Sequence, residues 1–205
     1  MKTLFPPSMA TCAALCLTLV GSAMAAPAWA MDVSGVSYAP QKQAGVTTLV
    51  LNGAGVRRVA DKDLYTAGLY LEQKAGSADE ALKTQGAKEI RVVMLREVNS
   101  RDFGSLLSHG LTTTSNDDEL SNLIPEIMDL GTLIAERGKL EAGDSFVIEW
   151  SATQGTTIRV TQRSSPKPAV EVFTKPDLIG ALMRIWLGEK PADANLKAAL
   201  LGKTV

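Results

Sequence analysis

The sequence predicts an α+β fold in which a curved antiparallel sheet is covered on one face by helices. Strand-like runs separated by turn residues fill the region from Val33 to Val98, and a helical repeat of apolar residues follows from Asn99 to Leu140. Strands return at Asp144, before two C-terminal helices. This order of antiparallel hairpins and helices predicts one domain over residues 31–205 with a substantial core.

The first 30 residues are typical of an export signal. Lys2 gives a positive start and Met9 to Gly21 is an uncharged apolar run, shorter than the roughly 20 residues that span a bilayer. Small residues suit cleavage after Ala30, with cleavage after Ala25 as the alternative. We therefore expect a mature periplasmic protein without a membrane span.

Composition excludes several classes of function. The two cysteines, Cys12 and Cys16, both lie in the predicted signal, so the mature chain has no thiol for a disulfide or a thiolate metal site. The formal net charge is −1 and the basic residues are dispersed, which argues against nucleic-acid binding. Neither a cofactor motif nor a metal site is predicted.

The strands and helices of the domain follow from local patterns. Strands are predicted at Thr47–Gly53, Leu64–Glu72 and Glu89–Arg96, with a short helix in "SADEALKTQG". Two amphipathic helices are expected in the middle, the second beginning at Thr114 or Ser115. Further along, the sequence predicts a hairpin around "ATQG", a short strand in "AVEVFT", and two helices divided by Gly188 and Pro191.

Few residues suggest catalysis. His109 is the only histidine and is expected to be a surface or cap residue. "NDDE" (116–119) lacks the spacing of a calcium loop and fits a helix start. The glycines of "GAG" (53–55) match no phosphate-binding motif, so we expect them to permit a tight turn or a bulge where the backbone approaches a pocket.

Arg57 and Arg58 are the most informative pair in the sequence. Adjacent residues of a strand face opposite sides of the sheet, so one arginine is expected to point toward the helices. A buried arginine needs an anionic partner, and its guanidinium suits a carboxylate. If the two strands pair, Tyr65 lies close enough to share a ligand oxygen with Arg57, and Tyr70 offers a second hydroxyl. The alternative is an arginine that reaches solvent beside a core tyrosine.

Three segments carry a resemblance to a known family. "LNGAGVRRVADKDLYTAGLYLE", "GKLEAGDSFVIEW" and "IWLGEKPADANLKAALLG" resemble segments of the chalcone isomerase family, in its exported bacterial branch. The resemblance covers nearly the whole predicted mature chain. It implies an open-faced β-sandwich, a large antiparallel sheet covered by helices, with a cleft between the two layers.

The resemblance also implies site residues. In true isomerases an arginine at the position of Arg57 supports the anionic substrate, while a threonine, a tyrosine and an asparagine bind its ketone side. Here Tyr65 stands at the threonine position, Phe103 at the tyrosine position and Gly110 at the asparagine position. The polar groups that would stabilise a developing enolate are therefore missing.

Arginine with tyrosine is instead similar to the fatty-acid-binding branch, in which the pair holds a carboxylate. The first hypothesis is thus a non-catalytic binder of a fatty acid or similar amphipathic carboxylate, with Arg57 and Tyr65 as anchors and Tyr70, Phe103 and Leu107 as possible cleft lining. The alternatives are an isomerase or intramolecular lyase acting on an unknown enone, and an envelope protein-interaction module. Trp186 is expected to pack in the core, and the oligomeric state is left open.

Overall fold

The computed structural model describes residues 30–204, so the predicted export segment lies almost entirely outside the described part of the chain. The strands are β1 (Met31–Val33), β2 (Val36–Tyr38), β3 (Gln41–Ala44), β4 (Thr47–Val59), β5 (Lys62–Leu71), β6 (Lys88–Met94), β7 (Val98–Asn99), β8 (Lys139–Leu140), β9 (Ser145–Ser151), β10 (Gly155–Thr161) and β11 (Ala169–Phe173). The helices are α1 (Ala78–Lys83), α2 (Ser100–Thr114), α3 (Asp117–Asn122), α4 (Ile124–Ala135), α5 (Asp177–Leu187) and α6 (Ala194–Leu200).

Seven strands form one curled antiparallel sheet in the order β11-β10-β9-β6-β5-β4-β3. Some neighbouring strands follow each other in the chain as hairpins. Others pair with each other although helices lie between them in the sequence. β1 pairs with β2, and β7 with β8, in two small separate ladders. The α+β architecture predicted from the sequence is confirmed.

One face of the sheet carries the main core. The buried apolar residues of β5, β6, β9 and β10 pack there against helices α2, α4, α5 and α6 in one continuous cluster. The opposite face carries a smaller cluster around Tyr38, Leu49 and Tyr70, which also contacts the β1–β2 hairpin. Alternation along each strand therefore divides the side chains between a helix-covered face and a second, smaller core.

The glycines of "GAG" do not form a turn. They lie inside β4, which is continuous over 13 residues with a register shift between Leu51 and Gly53. The turn falls instead at Ala60 and Asp61, whose positive φ angles of 48° and 59° suit a two-residue hairpin. The expected tight turn is therefore wrong, and the register shift lies at Asn52, directly before Gly53.

Gly53 and Gly55 also let helix α6 lie directly on the strand. A Cβ at Gly53 would stand 2.1 Å from the Ala199 carbonyl oxygen, and one at Gly55 would stand 2.6 Å from the Ala199 Cβ. The amide of Asn52 fixes the same contact, because its nitrogen donates to the Leu200 carbonyl at 2.8 Å while its oxygen accepts from the Ala75 N–H at 2.7 Å.

The expected second middle helix is divided in two. α2 runs to Thr114, and α3 begins after Asn116, whose side chain accepts from the Glu119 N–H. Leu123 then interrupts the helix, and Pro125 lies in the first turn of α4, where its missing N–H costs no hydrogen bond. The start predicted at Thr114 or Ser115 is therefore too early, and the continuous helix is wrong. The predicted short helix is present as α1, which Ser77 caps, and Gly188 ends α5 as predicted.

Candidate functional site

Arg57 and Tyr65 lie directly opposite each other in the β4–β5 ladder. Both side chains are on the helix-covered side of the sheet, and Arg57 Nη1 donates to Tyr65 Oη at 3.3 Å. The guanidinium carbon is 5.7 Å from the centre of the Tyr65 ring. Tyr65 is 1% exposed, whereas Arg57 is only partly buried. The predicted juxtaposition of these two residues is present, close to the surface on the Arg57 side.

The Tyr65 hydroxyl receives a second hydrogen bond from the helical layer. Trp186 Nε1 on α5 donates to Tyr65 Oη at 3.0 Å. Burial raises the pKa of Tyr65 above the ordinary tyrosine value, against the opposing influence of the Arg57 charge and of the two hydrogen bonds. The phenol is therefore neutral at physiological pH and keeps its proton.

Arg57 has unused hydrogen-bonding capacity. Its Nε is buried and has no hydrogen-bond partner among the described residues. No acidic side chain within residues 30–204 forms an ion pair with it. Arg58, the next residue on β4, is exposed and pairs with Asp63 at 2.8 Å. The two adjacent arginines thus differ: Arg58 is paired on the surface, and Arg57 offers a charge that the described part of the protein does not neutralise.

Phe103 and Leu107 lie on the face of α2 that looks toward the sheet. Phe103 is 1% exposed, and its ring meets the rings of Tyr65 and Phe146 edge to face, with centroids 6.3 and 5.5 Å apart. Leu107 is buried one turn further along and borders a crevice of about 10 Å³ between α2 and α4. Both residues are therefore buried in the core between sheet and helices, and Phe103 contacts Tyr65.

Tyr70 does not belong to this group. It lies five positions after Tyr65 on the same strand, and an odd separation places the two side chains on opposite faces of the sheet. Tyr70 packs in the second core and donates to the Ala39 carbonyl at 3.1 Å. Burial raises its pKa to about 12. The expectation that Tyr70 lines the same cleft as Tyr65 is wrong.

The space between sheet and helices is filled by side chains. Four cavities of about 290 to 580 Å³ open on the surface of the described residues, and none of the four is lined by Arg57, Tyr65 or Phe103. A further crevice, of about 10 Å³, lies between α2 and α4 and is bordered by Gly104 and Leu107 among other residues. A ligand that enters this layer must therefore displace side chains or separate the helices.

Two positions that matter in isomerases are apolar here. Phe103 is packed among aromatic rings and offers no hydroxyl. Gly110 faces α5 so closely that a Cβ would lie 2.7 Å from Ile185 Cγ2. Neither position can present a polar group to a ligand.

Trp186 was predicted to pack in the core, but its contact with Tyr65 was not predicted. Trp186 is 1% exposed, as expected, but its indole N–H is a polar partner in the site. The only signal in the sequence was the general rule that a buried tryptophan N–H needs an acceptor. His109, by contrast, lies exposed on α2, away from the core-facing residues of that helix.

Among residues 30–204 no group of three or more metal-ligating side chains is clustered. Within the same range, none of the helices has the length and apolar character needed to cross a bilayer.

Comparisons with known proteins show the family and the fold of the chain. A family model described as chalcone isomerase-like matches residues 30–202, so the chain belongs to the chalcone isomerase-like family. A solved structure of a fatty-acid binding protein from Arabidopsis thaliana matches with a TM-score of 0.60 and 16% sequence identity, over 82% of this chain and 92% of that chain. This likeness shows that the fold is shared. No curated protein sequence matches significantly.

Proposed function

We propose that this protein binds a fatty acid or a similar amphipathic carboxylate without catalysing a reaction on it. The observation that carries the proposal is the pair of Arg57 and Tyr65. Arg57 has a buried Nε without a partner, and no acidic side chain of the described chain pairs with it. Tyr65 accepts two hydrogen bonds, which leaves its O–H to donate.

A carboxylate matches these groups. Its two oxygens accept several hydrogen bonds, and an arginine can hold both of them at once. Arg57 is partly exposed, so a head group can reach it from solvent, while the buried Tyr65 lies deeper beside it. The carboxylate would thus bind at the rim and its tail would point into the layer between sheet and helices.

The tail would occupy apolar space between helices α2 and α4. The crevice there is lined by Gly104, Leu107, Leu111, Ile127, Leu130 and Ile134, among other residues. Helix α4 is the more weakly anchored wall: Ile124 and Met128 are 52% and 66% exposed, and its first residue has no side-chain cap. Burial contributes about 0.8 kcal/mol for each methylene group, so a long tail can offset the cost of moving α4 outward.

The residues around the pair favour binding over isomerisation. An isomerase needs hydrogen-bond donors at the oxygen that becomes negatively charged in the transition state. Phe103 and Gly110 supply none. The fatty-acid binding protein with the same fold gives further support to a carrier or binder.

Export to the periplasm is the second part of the proposal, and it rests on residues 1–30 alone. Fractionation of cells that produce the full chain, followed by N-terminal sequencing of the soluble periplasmic protein, tests it. We expect a mature protein that begins at Met31, or at Ala26 if the earlier site is used. A full-length protein retained in the cytoplasm would contradict export.

Native mass spectrometry with lipid extraction tests the binding. The protein is purified beside two variants, Arg57→Met and its matched control Arg58→Met, because Arg58 is the adjacent arginine and is exposed and paired with Asp63. We expect a bound acyl carboxylate in the wild type and in R58M but not in R57M. Wild-type protein that is empty and also takes up no added fatty acid would refute the proposal and favour the interaction module.

Hydrogen exchange tests the route of the tail. In the ligand-free protein the amides of α4 should exchange faster than those of α5, in which eight of the eleven residues are buried. Added fatty acid should slow exchange in α4 most. Equal protection of α4 with and without ligand, in a protein that binds, would place the tail elsewhere.

A further inference from the structure

The feature that extends the proposed function is the indole of Trp186. It lies on α5, 121 residues from Tyr65 in sequence, and its N–H is directed at the tyrosine oxygen at 3.0 Å. Both residues are 1% exposed, so water does not compete for this bond. The contact joins the helical layer to the sheet at the very residue that would meet a head group.

The donors and acceptors at Tyr65 show what this bond does. A phenolic oxygen has two acceptor sites and one proton. Trp186 Nε1 occupies one acceptor site of Tyr65 and Arg57 Nη1 occupies the other. No acceptor for the Tyr65 proton is present among residues 30–204, so that proton is available to a ligand. The site therefore presents donors only: the Tyr65 O–H and the remaining N–H groups of Arg57.

We propose that Trp186 is a positioning residue that fixes Tyr65 as a hydrogen-bond donor and thereby makes the site select a carboxylate over a neutral alcohol of the same chain length. The inference rests on the proposed function and names the ligand property that the site recognises. A carboxylate accepts from every donor and brings no proton of its own. An alcohol brings an O–H that finds no acceptor at Tyr65, and a buried unpaired donor is costly.

Trp186 also sets the strength of the Tyr65 donor. A hydrogen bond received by the phenolic oxygen polarises its O–H, and linked hydrogen bonds strengthen one another in a low-dielectric interior. Burial raises the pKa of Tyr65, so the hydroxyl remains a donor rather than becoming a phenolate that would repel the ligand. Loss of the indole N–H would weaken the donor and return one acceptor site to the oxygen.

Trp186→Phe removes the N–H and keeps most of the ring. Trp150→Phe is the matched control, because Trp150 is partly buried on β9 beside Lys88 and makes no described hydrogen bond to Tyr65. Isothermal titration calorimetry of dodecanoate and 1-dodecanol against wild type, W186F and W150F gives, for each protein, the ratio of the two affinities. A general loss of packing would weaken both ligands together and leave that ratio unchanged.

We expect the ratio to favour dodecanoate in the wild type and in W150F, and to fall by roughly three- to tenfold in W186F, the effect of about one hydrogen bond. Dodecanol binding should improve or hold while dodecanoate binding weakens. An unchanged ratio in W186F, in a protein that still binds dodecanoate, overturns the role of Trp186 and leaves the proposed function intact. Wild-type protein that binds neither ligand refutes the proposed function and this inference together.

Discussion

At the scale of single residues, Arg57 is partly buried, and its buried Nε has no hydrogen-bond partner among the described residues. Removing a guanidinium from water without an anionic partner is unfavourable. A residue kept for stability would be paired, as Arg58 is with Asp63. The unpaired charge therefore supports the proposed role of Arg57 in binding a ligand.

The first prediction follows for the ligand-free protein. Arg57→Met replaces the charge with an apolar chain of similar length, and we expect the free energy of unfolding to stay the same or rise by about 1 kcal/mol, because replacing buried charges with apolar groups is often neutral or stabilising. Arg58→Met, which breaks a surface ion pair, should lower it by about 0–1 kcal/mol. Urea denaturation measures both. A loss above about 1 kcal/mol in R57M would instead assign Arg57 a structural role.

Glu89 is the second residue with an unusual environment. Its side chain is fully buried on the face opposite the candidate site, where Lys42 forms an ion pair with it, and Oε1 has no partner among the described residues. Burial raises the pKa of this carboxyl, and the hydrogen bond and charge of Lys42 only partly oppose the effect. The folded protein therefore binds the Glu89 proton more tightly than the unfolded chain does.

The pH dependence of stability follows from that difference. The contribution of Glu89 is greatest below the unfolded pKa of about 4.3 and declines as the pH rises from there toward the raised folded pKa. Glu89→Gln removes the titration, so its free energy of unfolding should fall less than that of the wild type over this range. Urea titrations between about pH 4 and pH 8, with Glu171→Gln on the exposed edge strand as control, test this. Parallel curves for E89Q and wild type would contradict it.

At the scale of elements, the contact between α2 and α5 depends on the absence of a side chain. Gly110 lies where α2 meets Ile185, whereas a Cβ at Gly104, nearly two turns earlier, would lie at an ordinary contact distance of 3.7 Å from Ile134 Cγ2. Both glycines are helical, so both lose the same intrinsic propensity relative to alanine. Packing therefore requires a glycine at position 110 but not at position 104.

Alanine at the two positions separates these effects. Gly104→Ala should raise the free energy of unfolding by about 1 kcal/mol through helix propensity. Gly110→Ala gains the same propensity but forces a methyl group against Ile185, and overpacking of this kind costs about 1–3 kcal/mol. Urea denaturation should therefore give G104A a higher free energy of unfolding than G110A, by about the 1–3 kcal/mol that overpacking costs. Equal stability of the two variants would mean that α5 can shift freely, and the position would then have room for a polar side chain.

At the scale of the whole molecule, the sheet and the helical layer are joined by one apolar core, and the candidate site lies at its edge. The strands hold Arg57 and Tyr65 in register, and α5 brings Trp186 down onto them. The proposed ligand binding would thus be coupled to the packing of the two layers. A ligand that binds only the folded protein must stabilise the whole domain.

The corresponding prediction concerns the free energy of unfolding with and without ligand. Dodecanoate at about 100 times its dissociation constant should raise this free energy by about 2.7 kcal/mol in the wild type and in R58M. R57M should show no rise at the same concentration. Thermal and urea denaturation with and without dodecanoate measure the effect. A rise of equal size in R57M would mean that the fatty acid binds away from Arg57.

Much of the fold was predictable because local signals agree with the tertiary structure. The Ser77 cap, the Gly188 stop and the "ATQG" hairpin each depend on a few adjacent residues, and all three are present. The break at Leu123 was missed because the apolar repeat continues through it and a proline is acceptable in the first turn of a helix. Tyr70 was misplaced although strand alternation alone puts it opposite Tyr65.

The sequence by itself determined the α+β class, the family and the pairing of Arg57 with Tyr65, because strand periodicity and hairpin connections are set by neighbours in the chain. Only the tertiary structure decided that the layer between sheet and helices is filled and that α6 lies on Gly53 and Gly55. It alone also placed the indole of Trp186 on the Tyr65 hydroxyl. These last features depend on contacts between residues far apart in sequence. Side-chain volume and hydrogen-bond geometry determine such contacts, and no local sequence pattern predicts them.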